Sequence, residues 1–200
     1  MIENTLPEFL DILSNEVSTF IESIDEDAIN KACDLIIEAE SNHGRVHVTG
    51  IGKPGHVSGY ISSLLSSTGT PSYTLHGTEA VHGSSGQVVA GDVVIAISNS
   101  GETQELKATV ETLKANGAKI IGVSGNDDSW LRYASDIFLF AGVKHEGGCL
   151  NKAPRASILA ETIVLQSLSI ALQYAKGLDV QQYVKWHPGG SLGKSIREGI

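Results

Sequence analysis

Two glycine-rich stretches hold the residue types that grip a small anion. The first reads Gly50-Ile51-Gly52-Lys53-Pro54-Gly55-His56 and follows the β-prone run Val46 to Thr49. A loop of this kind opens a helix, so its amides point at an incoming anion and Lys53 adds a full charge. The second, Ser98-Asn99-Ser100-Gly101-Glu102-Thr103, follows the run DVVIAIS of Asp92 to Ser98. Three hydroxyls around a glycine at a helix start make a phosphate nest that needs no cationic side chain. The plain alternative is a helix N-cap by Ser100 or Thr103, but one cap does not need three hydroxyls.

Gly50, Gly52 and Gly55 also fit the GxGxxG spacing of dinucleotide folds. That reading requires an acidic residue at the end of the second strand, to bind ribose. The strand ends instead at Leu75-His76-Gly77, with Glu79 further on among histidines and glycines. The spacing therefore favours a phosphate over a nucleotide.

The remaining candidates lie in loops or at helix starts. Glu105 falls in the first turn of a helix, where a carboxylate also suits the dipole. His82 is followed by Gly83, Glu146 sits in Lys144-His145-Glu146-Gly147-Gly148-Cys149, and His187 lies between Trp186 and Pro188-Gly189-Gly190. For each the bland reading is a solvated loop group or a helix cap. Seven histidines raise the question of a metal, but no HExxH or paired-ligand spacing occurs, so no metal and no cofactor is expected.

The elements that must position these groups alternate. After two N-terminal helical patterns come β-prone runs at Val46 to Thr49, Ser72 to Leu75, Asp92 to Ser98, Lys119 to Ser124 and Ile137 to Phe140. Helical patterns fill Val57 to Ser67, Thr103 to Asn116 and Ser129 to Ala134. A long apolar helix follows from about Pro154 to Lys176, stopped by Gly177. Apolar strands alternating with helices specify an α/β fold with a parallel, doubly wound sheet, whose ligands bind beyond the carboxyl ends of the strands. Residues 1–42 read as a helical segment and 43–200 as one binding domain. Leu6, Leu10, Leu13, Val17, Phe20 and Ile24 form a narrow seam of period near 3.5, suited to packing across a subunit boundary in a dimer or tetramer.

The 200 residues carry a formal net charge of −9. That sign disfavours nucleic acid and anionic membrane. Cys33 and Cys149 form no CxxC pair, Cys33 reads as a core residue, and no signal peptide or bilayer-spanning run is seen. The expected compartment is the cytoplasm.

GIGKPGH, SSTGTP (Ser66 to Pro71), HGTEAVHG (His76 to Gly83), SNSGETQE (Ser98 to Glu105) and WHPGGSLG (Trp186 to Gly193) occur in that order. Together they closely resemble the sugar isomerase (SIS) domain of the arabinose-5-phosphate isomerases, over about Arg45 to Gly193. SNSGET alone marks the wider group of phosphosugar isomerases and binders, whereas the His82 and HPGG blocks are narrower. The resemblance implies a five-stranded parallel sheet, usually in a tetramer with sites at subunit interfaces. It implies interconversion of D-arabinose 5-phosphate and D-ribulose 5-phosphate. The catalytic positions it implies are Lys53, Glu105, Glu146 and His187. The sugar-phosphate contacts it implies are Gly52, Ser98, Asn99, Ser100, Gly101 and Thr103, with His82 and Arg155 lining the site.

Three positions depart from that pattern: Pro54 replaces a serine, Ser84-Ser85 replaces the acid-bearing part of HGDLG, and Arg155 enters a run of small hydroxyl residues. Arg155 either brings charge to the phosphate or narrows the pocket. Many members of that family continue into paired CBS modules beyond the point where this chain stops. A non-catalytic sugar-phosphate sensor and a hexulose-6-phosphate isomerase are the rival readings.

Overall fold

The computed structural model describes residues 5–187. Two helices, α1 (Thr5–Glu22) and α2 (Glu26–Ser41), precede five strands: β1 (Val46–Gly50), β2 (Ser72–His76), β3 (Val93–Ile97), β4 (Lys119–Ser124) and β5 (Ile137–Phe140). Between and after them lie α3 (Lys53–Ser67), α4 (Gly77–Ala80), α5 (Gln104–Ala115), α6 (Trp130–Ala134), α7 (Ala156–Lys176) and α8 (Val180–Trp186). The sheet is parallel throughout, in the order β2-β1-β3-β4-β5, with Gly50 level with His76 and Ile97.

β1 and β3 are buried along their whole length and β4 over all but its first residue, as central strands of a parallel sheet are; in β1 this includes the polar His47 and Thr49. α2, α3 and α7 cover one face, packed on Val46, Val48, Ile95, Ile97 and Val123. α4, α5 and α6 cover the other, on Val94, Ala96 and Ile120. The connections from β1 and β3 therefore leave towards opposite faces, which opens a crevice between their carboxyl ends.

The opposite edge is locked. Asp92 accepts from the Arg45 and Val89 amides at 2.8 and 3.0 Å, from Arg45 Nη2 at 3.1 Å, and is bonded to His47 Nε2 at 3.1 Å. Burial alone would raise its carboxyl, but these donors hold it below the ordinary aspartate value. Burial also lowers His47.

The helix boundaries follow local chemistry. Asp25 caps α2 through the amides of Asp27 and Ala28, and Gly177 ends α7 in the left-handed conformation, φ 62°. Cys33 is buried on α2 as expected. α7 is long and apolar enough to cross a membrane by length and composition, yet half of that stretch is buried in the domain. In the N-terminal seam, Phe20 is buried in the chain's own core while Leu6 and Leu10 are exposed.

Candidate active site

The second glycine loop is built to leave an anion nest open. The Gly101 amide donates to both the carbonyl and the hydroxyl of Ser98, at 3.0 and 3.1 Å, and Glu102 N donates to Ser100 Oγ at 3.2 Å. Gly101 has φ 65°, and a Cβ there would collide with the Ser129 side chain, so glycine is required twice over. Thr103 is the N-cap of α5, but its hydroxyl bonds to Ser98 Oγ at 3.1 Å instead of capping the helix. The start of α5 is thus left without a side-chain cap, its amides facing the crevice side of the sheet.

Neighbouring segments brace the loop. Ser124 Oγ donates to the Asn99 carbonyl, Asn126 Nδ2 to the Ser100 carbonyl, and Leu131 N to the Gly101 carbonyl. Glu102 is taken up by Lys107 and the Trp130 amide, which hold its carboxyl below the usual range. Its neighbour Glu105 stays exposed in the first turn of α5 and makes no bond among the described residues.

Lys53 is the first residue of α3, behind Gly52 at φ 68°, with Pro54 where no amide partner is needed. It is exposed and unpaired among the described residues, as a cation awaiting a ligand would be. A cavity of about 180 Å³ beside it is lined by Gly50, Gly52, His56, His76 and Thr78. His82 follows α4 at this same edge and is exposed.

Glu146 reaches the site by a device that sequence spacing does not reveal. Its Oε2 accepts from the amides of Arg155 at 2.6 Å and Ser157 at 3.2 Å. It thereby caps α7, whose own N-cap residue, Arg155, offers no side-chain bond. Oε1 makes no bond among the described residues. Asn151 Oδ1 accepts from Glu146 N, and Phe9 of α1 packs on Gly147, while Glu16 Oε2 accepts from Lys144 N. Arg155 is exposed, with its guanidinium over Gly148.

One chain therefore brings Lys53, the Ser98 to Thr103 loop, Glu105, His82, Glu146 and Arg155 to the carboxyl edge of the sheet. His187 goes elsewhere. α7 runs from that edge to the opposite one, where Lys176 pairs with Glu40 and bonds to Thr70. α8 follows there, with Trp186 against Gly69. His187 ends α8, its Nδ1 3.0 Å from the Tyr183 carbonyl and its ring stacked on Tyr183 at 4.0 Å. The Pro188 to Gly193 part of the last motif lies outside the described residues. A cavity of about 540 Å³ also lies away from the crevice, along edge strand β2 between Arg45, Ser62 and Tyr73. No group of three metal-ligating side chains occurs among the described residues.

Sequence reasoning missed one titratable group. Glu161 on α7 is fully buried, and neither carboxylate oxygen has a partner among the described residues. The signal was present: a lone carboxylate within the apolar stretch Ile158 to Leu165.

The SIS domain family matches residues 41–171. The arabinose 5-phosphate isomerase KdsD of Pseudomonas aeruginosa is 39% identical over 180 residues, which is 90% of this chain and 54% of that protein. The chain thus spans about half the length of the curated relatives it matches. The structure of E. coli CFT073 c3406 in complex with arabinose 5-phosphate superposes with a TM-score of 0.83 at 34% identity, covering 94% of this chain and 97% of that one. MJ1247 of Methanococcus jannaschii, whose structure infers a 3-hexulose-6-phosphate isomerase function, shares the fold at TM-score 0.70 and 20% identity, over 89% of this chain and 96% of that one.

Proposed function

Because this chain belongs to the SIS domain family, we propose that it is a sugar-phosphate aldose–ketose isomerase acting on D-arabinose 5-phosphate and D-ribulose 5-phosphate. The observation that carries this reading is the grouping at one sheet edge of an uncapped helix start, a lysine unpaired among the described residues and a carboxylate with one oxygen free of them. The relative of 34% identity solved with arabinose 5-phosphate supports the choice of sugar.

The phosphate is held by Ser98, Ser100, Thr103 and the amides at the start of α5, with Asn99 and Gly101 shaping the loop and Gly52 the opposite wall. Anchoring one end of the sugar fixes the reacting carbons at the other. Glu146 Oε1 takes the proton from C1 or C2 while Oε2 stays on α7, so the base is aimed by the helix it caps. Lys53 stabilises the enediolate, Glu105 orients Lys53 or a hydroxyl, and Arg155 and His82 line the sugar. His187, carried at the far edge of its own chain, opens the ring or shuttles the hydroxyl proton in a neighbouring subunit of a dimer or tetramer. Two free cysteines fit a cytoplasmic setting, and no cofactor or metal is required by this chemistry.

The same distance of His187 favours, as a second reading, a binding module without catalysis. Incubation with pentose and hexose phosphates in D2O, followed by NMR, separates them. Deuterium entering C1 or C2 of the pentose phosphates supports the isomerase, and binding without exchange supports the module. Exchange confined to a hexulose phosphate transfers the activity to the other sugar class.

A further inference from the structure

α7 holds three buried polar atoms that no described residue satisfies: Ser157 Oγ and both carboxylate oxygens of Glu161. The two residues are four apart on a helix, so they share a face. Helical side chains lean towards the N-terminus, which carries the Glu161 carboxyl over the turn of Ser157. The Ser157 amide is one of the two that hold Glu146. A stack of orphaned groups thus runs through the first turns of α7 to the carboxylate assigned above as the base. Buried polar atoms are nearly always paired, so such a stack calls for an account.

We propose that Glu161 is a positioning residue, which sets the charge beneath Glu146 and so governs whether that carboxylate works. The inference rests on Glu146 acting in the isomerase reaction. When Glu161 is neutral, Glu146 is the sole anion at the head of α7. When it ionises, a second negative charge sits in the same dry layer. That charge repels Glu146 from the helix end and opposes the negative charge developing on the enediolate. Burial, aided by Glu146, pushes the Glu161 carboxyl up to about 8, so it holds its proton at neutral pH.

Other charges around α7 are exposed or engaged. On α3, Lys53 and His56 are exposed at the helix start. On α1, Glu16 is bonded to Lys144 N. From α2 come the buried Cys33 and Glu40, the latter paired with Lys176 at the far end of α7. The sheet residues on this face, such as Val48, Ile97 and Val123, are apolar. Lys144, His145 and Arg155 belong to the exposed loop and helix start.

The test compares wild type, Glu161→Gln and Glu146→Gln in protein labelled with 13C at glutamate carboxyls, with D-arabinose 5-phosphate as substrate. In wild type, kcat falls roughly threefold or more between about pH 7.5 and 9.5, and KM moves less. A carboxyl resonance titrates over the same range. Glu161→Gln removes both the fall and the resonance, and Glu146→Gln moves the resonance to lower pH by removing the like charge. A Glu161→Gln rate profile that overlays wild type, or a resonance indifferent to Glu146→Gln, overturns the proposal. A wild type that isomerises no sugar phosphate refutes the proposed function instead, and the resonance alone then decides for or against the coupling.

Discussion

Replacing Glu161 by Gln should make the protein more stable, and increasingly so as pH rises. An ordinary glutamate titrates near 4.5, and burial carries this one to about 8 in the folded chain. The native state therefore binds a proton that the unfolded chain has released. The stabilisation is complete below about pH 4.5 and is lost as pH climbs through 8. At about 1.36 kcal/mol per decade of proton affinity, moving a carboxyl from 4.5 to about 8 is worth at most about 4.8 kcal/mol. Water entry and relaxation trim this, and roughly 2–4 kcal/mol is the working expectation.

Gln has the same shape and never ionises, so the unpaired amide costs the same at every pH. The assay is urea unfolding of both proteins from pH 5 to 9 at one protomer concentration, since assembly also shifts apparent stability. The advantage of Glu161→Gln should grow from about pH 5 at up to about 1.4 kcal/mol per pH unit, reach roughly 2–4 kcal/mol in all, and level off by about pH 8. A difference that stays constant across that range refutes the reasoning, because it means that Glu161 titrates alike in the folded and unfolded chains.

Further outcomes follow from the site and its supports. Ser100→Ala should weaken sugar-phosphate binding by about 1.5–3 kcal/mol, the worth of a hydrogen bond to a charged group, measured by calorimetry. Glu146→Gln should lower kcat by on the order of 10²–10⁴ while leaving the melting temperature nearly unchanged, since the amide oxygen still caps α7; Glu146→Ala should in addition lose about 1 kcal/mol of stability. Leu6→Glu with Leu10→Glu, at exposed seam positions, should reduce the mass seen by light scattering and abolish activity with it; a fully active monomer would rule out a site shared between subunits. Asp92→Ala leaves the Arg45 and Val89 amides and His47 without their acceptor and should cost about 3 kcal/mol or more, read by urea unfolding.

β3 was the most legible central strand because it is buried on both faces and reads as the unbroken apolar run Val93 to Ile97, whereas buried β1 carries the polar His47 and Thr49. Edge strand β2 was weaker, since Tyr73 and Thr74 are exposed, Ser72 is half-buried and only Leu75 is buried. The nest at Ser98 to Thr103 showed itself because its hydroxyls and glycine are contiguous. Glu146 as the cap of α7 was hidden, because the contact joins residues nine and eleven apart through an irregular loop. The place of His187 follows from length. A helix of 21 residues spans about 31 Å, far more than strands of four to six residues. A chain that starts α7 at one sheet edge must emerge at the other.

The borrowed cap on α7 also makes the helix an instrument for watching Glu146. The amide of Ser157 is shielded only while Oε2 of Glu146 stays on it at 3.2 Å. Any excursion of the carboxylate towards a bound sugar leaves that buried N–H without its acceptor, without disturbing the intrahelical bonds further along α7. Hydrogen–deuterium exchange at Ser157, compared with an interior amide such as Leu165, would therefore report whether Oε2 of Glu146 stays on α7 when a sugar phosphate is added.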